Sequence, residues 1–158
     1  MQNVRVQSEP FDPNREVDEL RGENPAIGAV VTFIGLMRDL NDGARVERLF
    51  LEHYPGMTEK ALKEIVAEAA ERWTLQECRV VHRVGELSPT EPIVLVAVAS
   101  AHRKEAFQAC EFIIDYLKTK APFWKRESTA DGARWVDARE SDDDASRKWS
   151  SSQGLENG

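Results

Sequence analysis

Cysteine is almost missing from this chain of 158 residues: there are two, Cys78 and Cys110. No C-x-x-C spacing occurs, which excludes a dense disulfide framework and argues against a zinc site. His53, His82 and His102 share no ligand spacing either, so no metal is expected. Nowhere do roughly 18 apolar residues run together, so no membrane-spanning helix is encoded. Residues 1–9 lack the basic start and apolar stretch of a signal peptide, and the expectation is a soluble, cytoplasmic protein with reduced thiols. Neither G-x-G-x-x-G nor G-x-x-x-x-G-K-[ST] is present, which removes the commonest nucleotide-phosphate signatures. No internal repeat is visible.

What the chain does have is acidity with one local reversal. Its net charge is −7, and 41% of its residues are hydrophobic, ordinary for one globular domain. From His102 to Arg126 six basic residues (Arg103, Lys104, Lys118, Lys120, Lys125, Arg126) face three acids (Glu105, Glu111, Asp115), so this stretch carries +3 and the remainder −10. A cationic cluster on an acidic protein suits a small anion or a carboxylate tail, whereas duplex DNA would be repelled by the rest of the surface. The plain alternative is a solvated helix face with a basic C-terminal end.

Hydrophobic spacing sets out the elements. Val4 and Val6 alternate as a short strand, and Asp12-Pro13 cap a short helix holding Val17 and Leu20. The apolar run 27–34 reads as a buried strand near the centre of a sheet. A polar turn over 36–43 leads to a second strand, 46–54. Thr58 reads as the N-cap of a helix reaching Trp73, with Leu62, Ile65, Val66 and Ala69 at helical spacing. Strands follow at 79–84 and 93–99, then a helix over 103–119 stopped by Ala121-Pro122. Two short strands flank Asp131-Gly132, a hairpin signal. From Glu140 the composition turns to Ser, Asp, Lys and Gly, which divides the chain into a domain over 1–139 and a polar, flexible tail over 140–158.

The strand-to-helix junction Ser100-Ala101-His102-Arg103 places free N–H groups and the positive end of a helix dipole beside two side chains able to hold anions. Along that helix, with Cys110 at the centre of the apolar face, Ala106, Phe107, Ile113, Ile114 and Leu117 are predicted to be core. Lys118 falls about 80° from Cys110 and about 20° from Phe107, a boundary position where its stem runs along apolar surface. Partial desolvation there would favour a nucleophile or proton carrier, while a snorkelling lysine is the structural alternative. Phe123-Trp124-Lys125-Arg126 sets two aromatics before two cations, fit either to stack on a flat ligand or to close the core with a charged rim. Cys110 reads as a small hydrophobe rather than a nucleophile.

Three stretches carry a resemblance: Leu51-Glu52-His53-Tyr54-Pro55-Gly56-Met57, Ser100-Ala101-His102-Arg103, and the block from Asp115-Tyr116-Leu117-Lys118 through Ala121-Pro122-Phe123-Trp124-Lys125-Arg126-Glu127. Together they closely resemble the large, catalytic subunit of molybdopterin synthase, over about Val4 to Arg139. The resemblance implies an α+β protein of the α/β hammerhead fold with an additional antiparallel β subdomain. It implies a homodimer at the centre of a heterotetramer, with a small ubiquitin-like sulfur carrier at each end whose C-terminal Gly-Gly thiocarboxylate donates sulfur. The implied substrate is cyclic pyranopterin monophosphate, the implied reaction the building of the molybdopterin dithiolene, and no cofactor or metal is implied for it.

By the same resemblance Lys118 and Lys125 are the catalytic lysines. Leu36, Met37, Arg38, His102 and Arg103 bind substrate, with Lys118, Lys125, Arg126 and Glu127 lining the same pocket. Arg139 is the residue that would reach a neighbouring subunit's pocket, and Phe33 either contacts the ligand or fills the core. A different class of reading keeps the same cations as charge anchors only, in a non-catalytic module that captures a partner's C-terminal carboxylate or a small phosphate.

Overall fold

Local chemistry sets the starts of the first two helices. The structure is a computed structural model that describes residues 2–41, 43–130, 132–136 and Trp149. Its elements are β1 (Gln2–Gln7), α1 (Pro13–Arg21), β2 (Ala29–Leu36), β3 (Leu40–Asn41), β4 (Ala44–His53), α2 (Met57–Arg72), β5 (Glu77–Arg83), β6 (Gly85–Leu87), β7 (Pro92–Ser100), α3 (Arg103–Lys120), β8 (Phe123–Thr129) and β9 (Gly132–Val136). The Asp12 carboxylate accepts from the Asn14 and Arg15 amides, and Pro13 occupies the first helical position, as the sequence predicts for α1. Thr58 does not cap α2. That position passes to Gly56, whose φ of 86° suits glycine and whose amide donates to the Glu59 carboxylate at 2.7 Å. Thr58 lies fully buried in the first turn, where its hydroxyl accepts from the Tyr54 amide and donates to the Pro122 carbonyl, both at 2.9 Å.

Two sheets organise the chain, in keeping with the expected α+β class. The first runs β1-β5-β7-β2, with β1 and β5 parallel and the other pairs antiparallel. β7 is buried on both faces, which explains its unbroken apolar sequence. Val94, Val96 and Val98 join the core under α2 and α3, while Leu95, Ala97 and Ala99 join the one under α1. The second sheet is antiparallel, with β4 pairing β3, β6 and β8, and β8 pairing β9. Met37, Val46, Leu49, Leu51 and Leu87 form its core, the additional subdomain anticipated above.

Three expectations change. The strand over 27–34 was expected at a sheet centre, yet β2 is the edge strand, with Ile34 41% and Leu36 53% exposed. A continuous apolar run suggests burial on both faces, but the run does not by itself say which strand lies at the edge. Phe107, expected in the core, is 60% exposed, while Phe112 is fully buried. The cause is that α3 packs on α2 as well as on the sheet, so its buried stripe is turned toward Phe112, whose ring meets Trp73 edge-on at 5.3 Å. Trp149, inside the segment expected to be a polar tail, is 6% exposed: it packs on Trp73 and Phe112 and donates Nε1–H to Asp115 Oδ2 at 2.7 Å. The other residues of that segment lie outside those described.

Candidate functional site

The route of α3 decides which cations meet. β2 and β7 run antiparallel, with Ala29 opposite Ser100 and Leu36 opposite Pro92. α3 starts just beyond Ser100 and returns over both strands, passing Val96 where the Cys110 thiol lies 3.8 Å from its carbonyl. At 1.5 Å per residue Lys118 stands about 12 Å further on, level with Pro92 and Leu36, and about 22 Å from Arg103. Arg38, Lys118 and Lys125 therefore gather at one end of the first sheet, and His102 and Arg103 stand at the other. Within one chain the two groups of cations are thus separated by the length of α3.

At the first end the bend after β2 is set by Gly35, where the β2–β7 register shifts. A Cβ on Gly35 would lie 2.7 Å from Val94 Cγ1, so the strand approaches β7 more closely than a side chain allows. Met37 follows, 5% exposed, its amide and carbonyl bonded to Glu91 and Thr90 at 3.0 and 2.9 Å. Leu36 and Arg38 on either side of it are exposed, so a buried Met37 anchors a loop that presents its neighbours.

β8 carries the second lysine. Its alternation places Phe123, Lys125 and Glu127 on one face, opposite His53, Leu51 and Leu49 of β4. Glu127 is 5% exposed and Lys125 half-buried. Arg126 turns to the other face, where its guanidinium sits over the Phe50 ring at 5.2 Å, and Trp124 pairs there with Tyr54 at 6.3 Å. The Arg126 side chain thus does not share the face of Lys125 and Glu127. Trp124, 46% exposed, is not core, whereas Phe123 is part-buried and packs on the main core.

Two residues to which the sequence assigns no chemistry sit among the lysines. His82, 4% exposed, stacks on Phe123 with ring centroids 3.8 Å apart. Burial, and then the nearby charges of Lys118, Lys125 and His53, lower its pKa to about 3 against a bond to the Arg83 carbonyl that works the other way. His53, opposite Phe123, has Nε2 3.4 Å from Glu59 Oε1. A histidine inside the apolar run of β5 was the available signal, since such a residue is rarely buried without a partner.

At the far end Ser100 is fully buried and its hydroxyl bridges the Thr74 carbonyl at 2.8 Å and Glu105 Oε2 at 3.2 Å. A Cβ on Gly28 would fall 2.2 Å from the Ala101 carbonyl oxygen, so close packing fixes this turn. His102 holds the N-cap position of α3 without a capping bond, and both it and Arg103 are exposed. The helix start thus leaves both side chains available to a ligand. Cys78 and Cys110 are buried thiols pushed up to about 12, chiefly by desolvation, and neither is a nucleophile at neutral pH. Arg139 lies outside the described residues.

Residues 6–120 match the family model described as MoaE protein. The molybdopterin synthase catalytic subunit of Pseudomonas aeruginosa is 58% identical over 146 residues, covering 92% of this chain and 97% of that one. The solved MoaE protein of Burkholderia ambifaria superposes with a TM-score of 0.82 at 54% identity, over 95% of this chain and 99% of that one. A structure titled as the complex of subunits 1 and 2 of the molybdopterin-converting factor of Helicobacter pylori shares the fold, with a TM-score of 0.71 at 19% identity over 86% and 91% of the two chains. Together with the architecture described above, these matches establish that the chain belongs to the MoaE family.

Proposed function

We propose that this chain is the catalytic subunit of a molybdopterin synthase: a cytoplasmic sulfurtransferase that moves sulfur from the C-terminal thiocarboxylate of a small carrier protein onto cyclic pyranopterin monophosphate. The observation that carries the reading is the convergence of two half-buried lysines, Lys118 from α3 and Lys125 from β8, around the buried His82 ring. Two ammonium groups in a partly desolvated site stabilise developing anions and can move protons, which a charge anchor alone does not require. In the transfer the thiocarboxylate sulfur bonds to a side-chain carbon of the pterin as a carbon–oxygen bond at that same carbon breaks, the departing oxygen taking a proton that a lysine can supply. Water then cleaves the acyl–sulfur bond, leaving the sulfur on the pterin and a carboxylate on the carrier. Two such rounds build the dithiolene.

The divided cations support a homodimer. β2 is an edge strand with exposed Phe33, Ile34 and Leu36, and Phe107 of α3 is exposed as well. A two-fold that pairs β2 with its copy runs the strands antiparallel and sets the partner's Ala29 end against this chain's Leu36 end. His102 and Arg103 of the partner subunit then approach Arg38 and Lys118, so the phosphate grip and the sulfur-transfer lysines come from different protomers.

The test is turnover with purified thiocarboxylated carrier and pterin substrate. Lys118→Ala is expected to abolish dithiolene formation while circular dichroism and carrier binding stay those of the wild type. Near-normal turnover in that variant would overturn the lysine's role, and a wild-type chain that binds carrier without forming dithiolene would leave only the capture module.

A further inference from the structure

The ring beneath the two lysines is held unusually firmly. His82 is the penultimate residue of β5, on the face turned to α2 and α3, and its cross-strand neighbours are Val6 of β1 and Val94 of β7. Nδ1 lies 2.8 Å from the Arg83 carbonyl oxygen. A carbonyl only accepts, so Nδ1 carries the hydrogen and Nε2 keeps a lone pair. The ring lies nearly parallel to Phe123, tilted by 17°. One face and one edge of the imidazole are therefore fixed by groups from two different elements.

Phe123 is where the two lysines are joined. It follows Lys118 by five residues, precedes Lys125 by two, and shares the face of Lys125. The crossover between them is clamped next door by Thr58, whose hydroxyl donates to the Pro122 carbonyl, and the Phe123 amide bonds back to the Ala121 carbonyl at 3.0 Å. Thr58 thus holds the crossover backbone from α2, while His82 holds the Phe123 ring from β5. A shift of the Phe123 backbone would move the end of α3 against the start of β8, and with them Lys118 and Lys125.

Resting on the sulfur-transfer reading, we propose that His82 is a positioning residue for that reaction: its ring, tied to the Arg83 carbonyl and stacked under Phe123, fixes the α3–β8 crossover and with it the spacing of Lys118 and Lys125. Histidine suits the place better than a hydrocarbon because its Nδ1–H gives the Arg83 carbonyl a partner and fixes the ring plane. It also keeps its charge off, since burial and the surrounding Lys118, Lys125 and His53 all oppose an imidazolium. A cation at this point would push the lysines apart.

The experiment is single-turnover sulfur transfer from thiocarboxylated carrier, followed from about pH 6 to pH 10, for wild type, His82→Ala and His82→Phe. Thermal melting and carrier binding are measured on the same samples. His82→Ala, which removes the stack, is expected to slow the chemical step by about tenfold to a hundredfold. KM for the pterin should stay within about twofold, and the pH limb set by the lysines should move. His82→Phe, which keeps a stacked ring but loses the tie to the Arg83 carbonyl, should recover part of the rate. Wild-type rates and pH limbs in both variants, or a loss that only tracks the fraction of folded protein, would overturn the proposal. Failure of the wild type to transfer sulfur would instead overturn the reading on which it rests.

Discussion

The two ends of α3 are both cationic, yet they are built differently. At its start His102 and Arg103 are exposed, and the buried work is done by neighbours: Ser100 ties the junction to Thr74 and Glu105, and Gly28 lets the turn close. At its end Lys118 and Lys125 are half-buried, over a buried His82, a part-buried Phe123 and a buried Glu127. An exposed cation screened by water attracts an anion without orienting it, whereas a partly desolvated one acts at short range and in a set direction. On the function proposed above, the start of α3 grips the phosphate and its end serves the chemistry. About 22 Å of helix separates them within one chain, and on the proposed reading two protomers complete each site.

The largest effect that can break this comparison is recovery of activity from two dead chains. Lys118→Ala and Arg103→Ala homodimers are each expected to be inactive or nearly so. Mixed and allowed to exchange, they should regain about a quarter of wild-type turnover, because half the dimers are mixed and each holds one intact site. No recovery in verified mixed dimers would place both groups in one protomer's site.

Support for the lysine end can be tested through Trp149. It packs edge-on against Trp73 and Phe112 and bonds to Asp115, one turn before Lys118. Trp149→Ala should cost about 3–5 kcal/mol in urea unfolding, the range for a buried large aromatic. A loss typical of a surface position would mean that the segment is not anchored there.

A smaller effect follows from His82 and pH. Its pKa is lowered from 6.5 to about 3 by folding, so between those values the unfolded chain binds more protons than the native one. Stability therefore falls as the pH drops from about 6.5 toward about 3, and is unaffected by this group above that window. Melting temperatures of wild type and His82→Phe should diverge in acid, with the variant losing less, and parallel curves would remove the assignment. The smallest effect belongs to Arg126, whose side chain lies over Phe50 on the opposite face of β8. Arg126→Ala should leave turnover within about threefold of wild type, because an exposed cation–π contact is worth only about 0.5–1 kcal/mol.

Much of this was legible in local sequence. Asp12-Pro13, the helical spacing of Leu62, Ile65, Val66 and Ala69, and the Ala121-Pro122 stop set element ends that depend on nearest neighbours. The apolar run of β7 followed from burial on two faces. The position of β2 did not, since an apolar run can sit on an edge strand as well as on a central one. Phe107, expected in the core, is exposed because periodicity gives the width of an apolar stripe, while its direction depends on where α2 packs. Arg126 and Glu127, adjacent in sequence, part company for the simplest reason, the period of two in a strand.

What the sequence alone determined is the inventory: which cations are present, on which elements, and the family to which they belong. Those follow from residue type and spacing, which act over a few positions. Which cations meet was decided by tertiary structure. The antiparallel return of α3 over β2 and β7 separates Arg103 from Lys118, and the stacking of His82 on Phe123 sets Lys118 and Lys125 around one corner. Such juxtapositions depend on contacts between residues distant in the chain, and no local pattern encodes them.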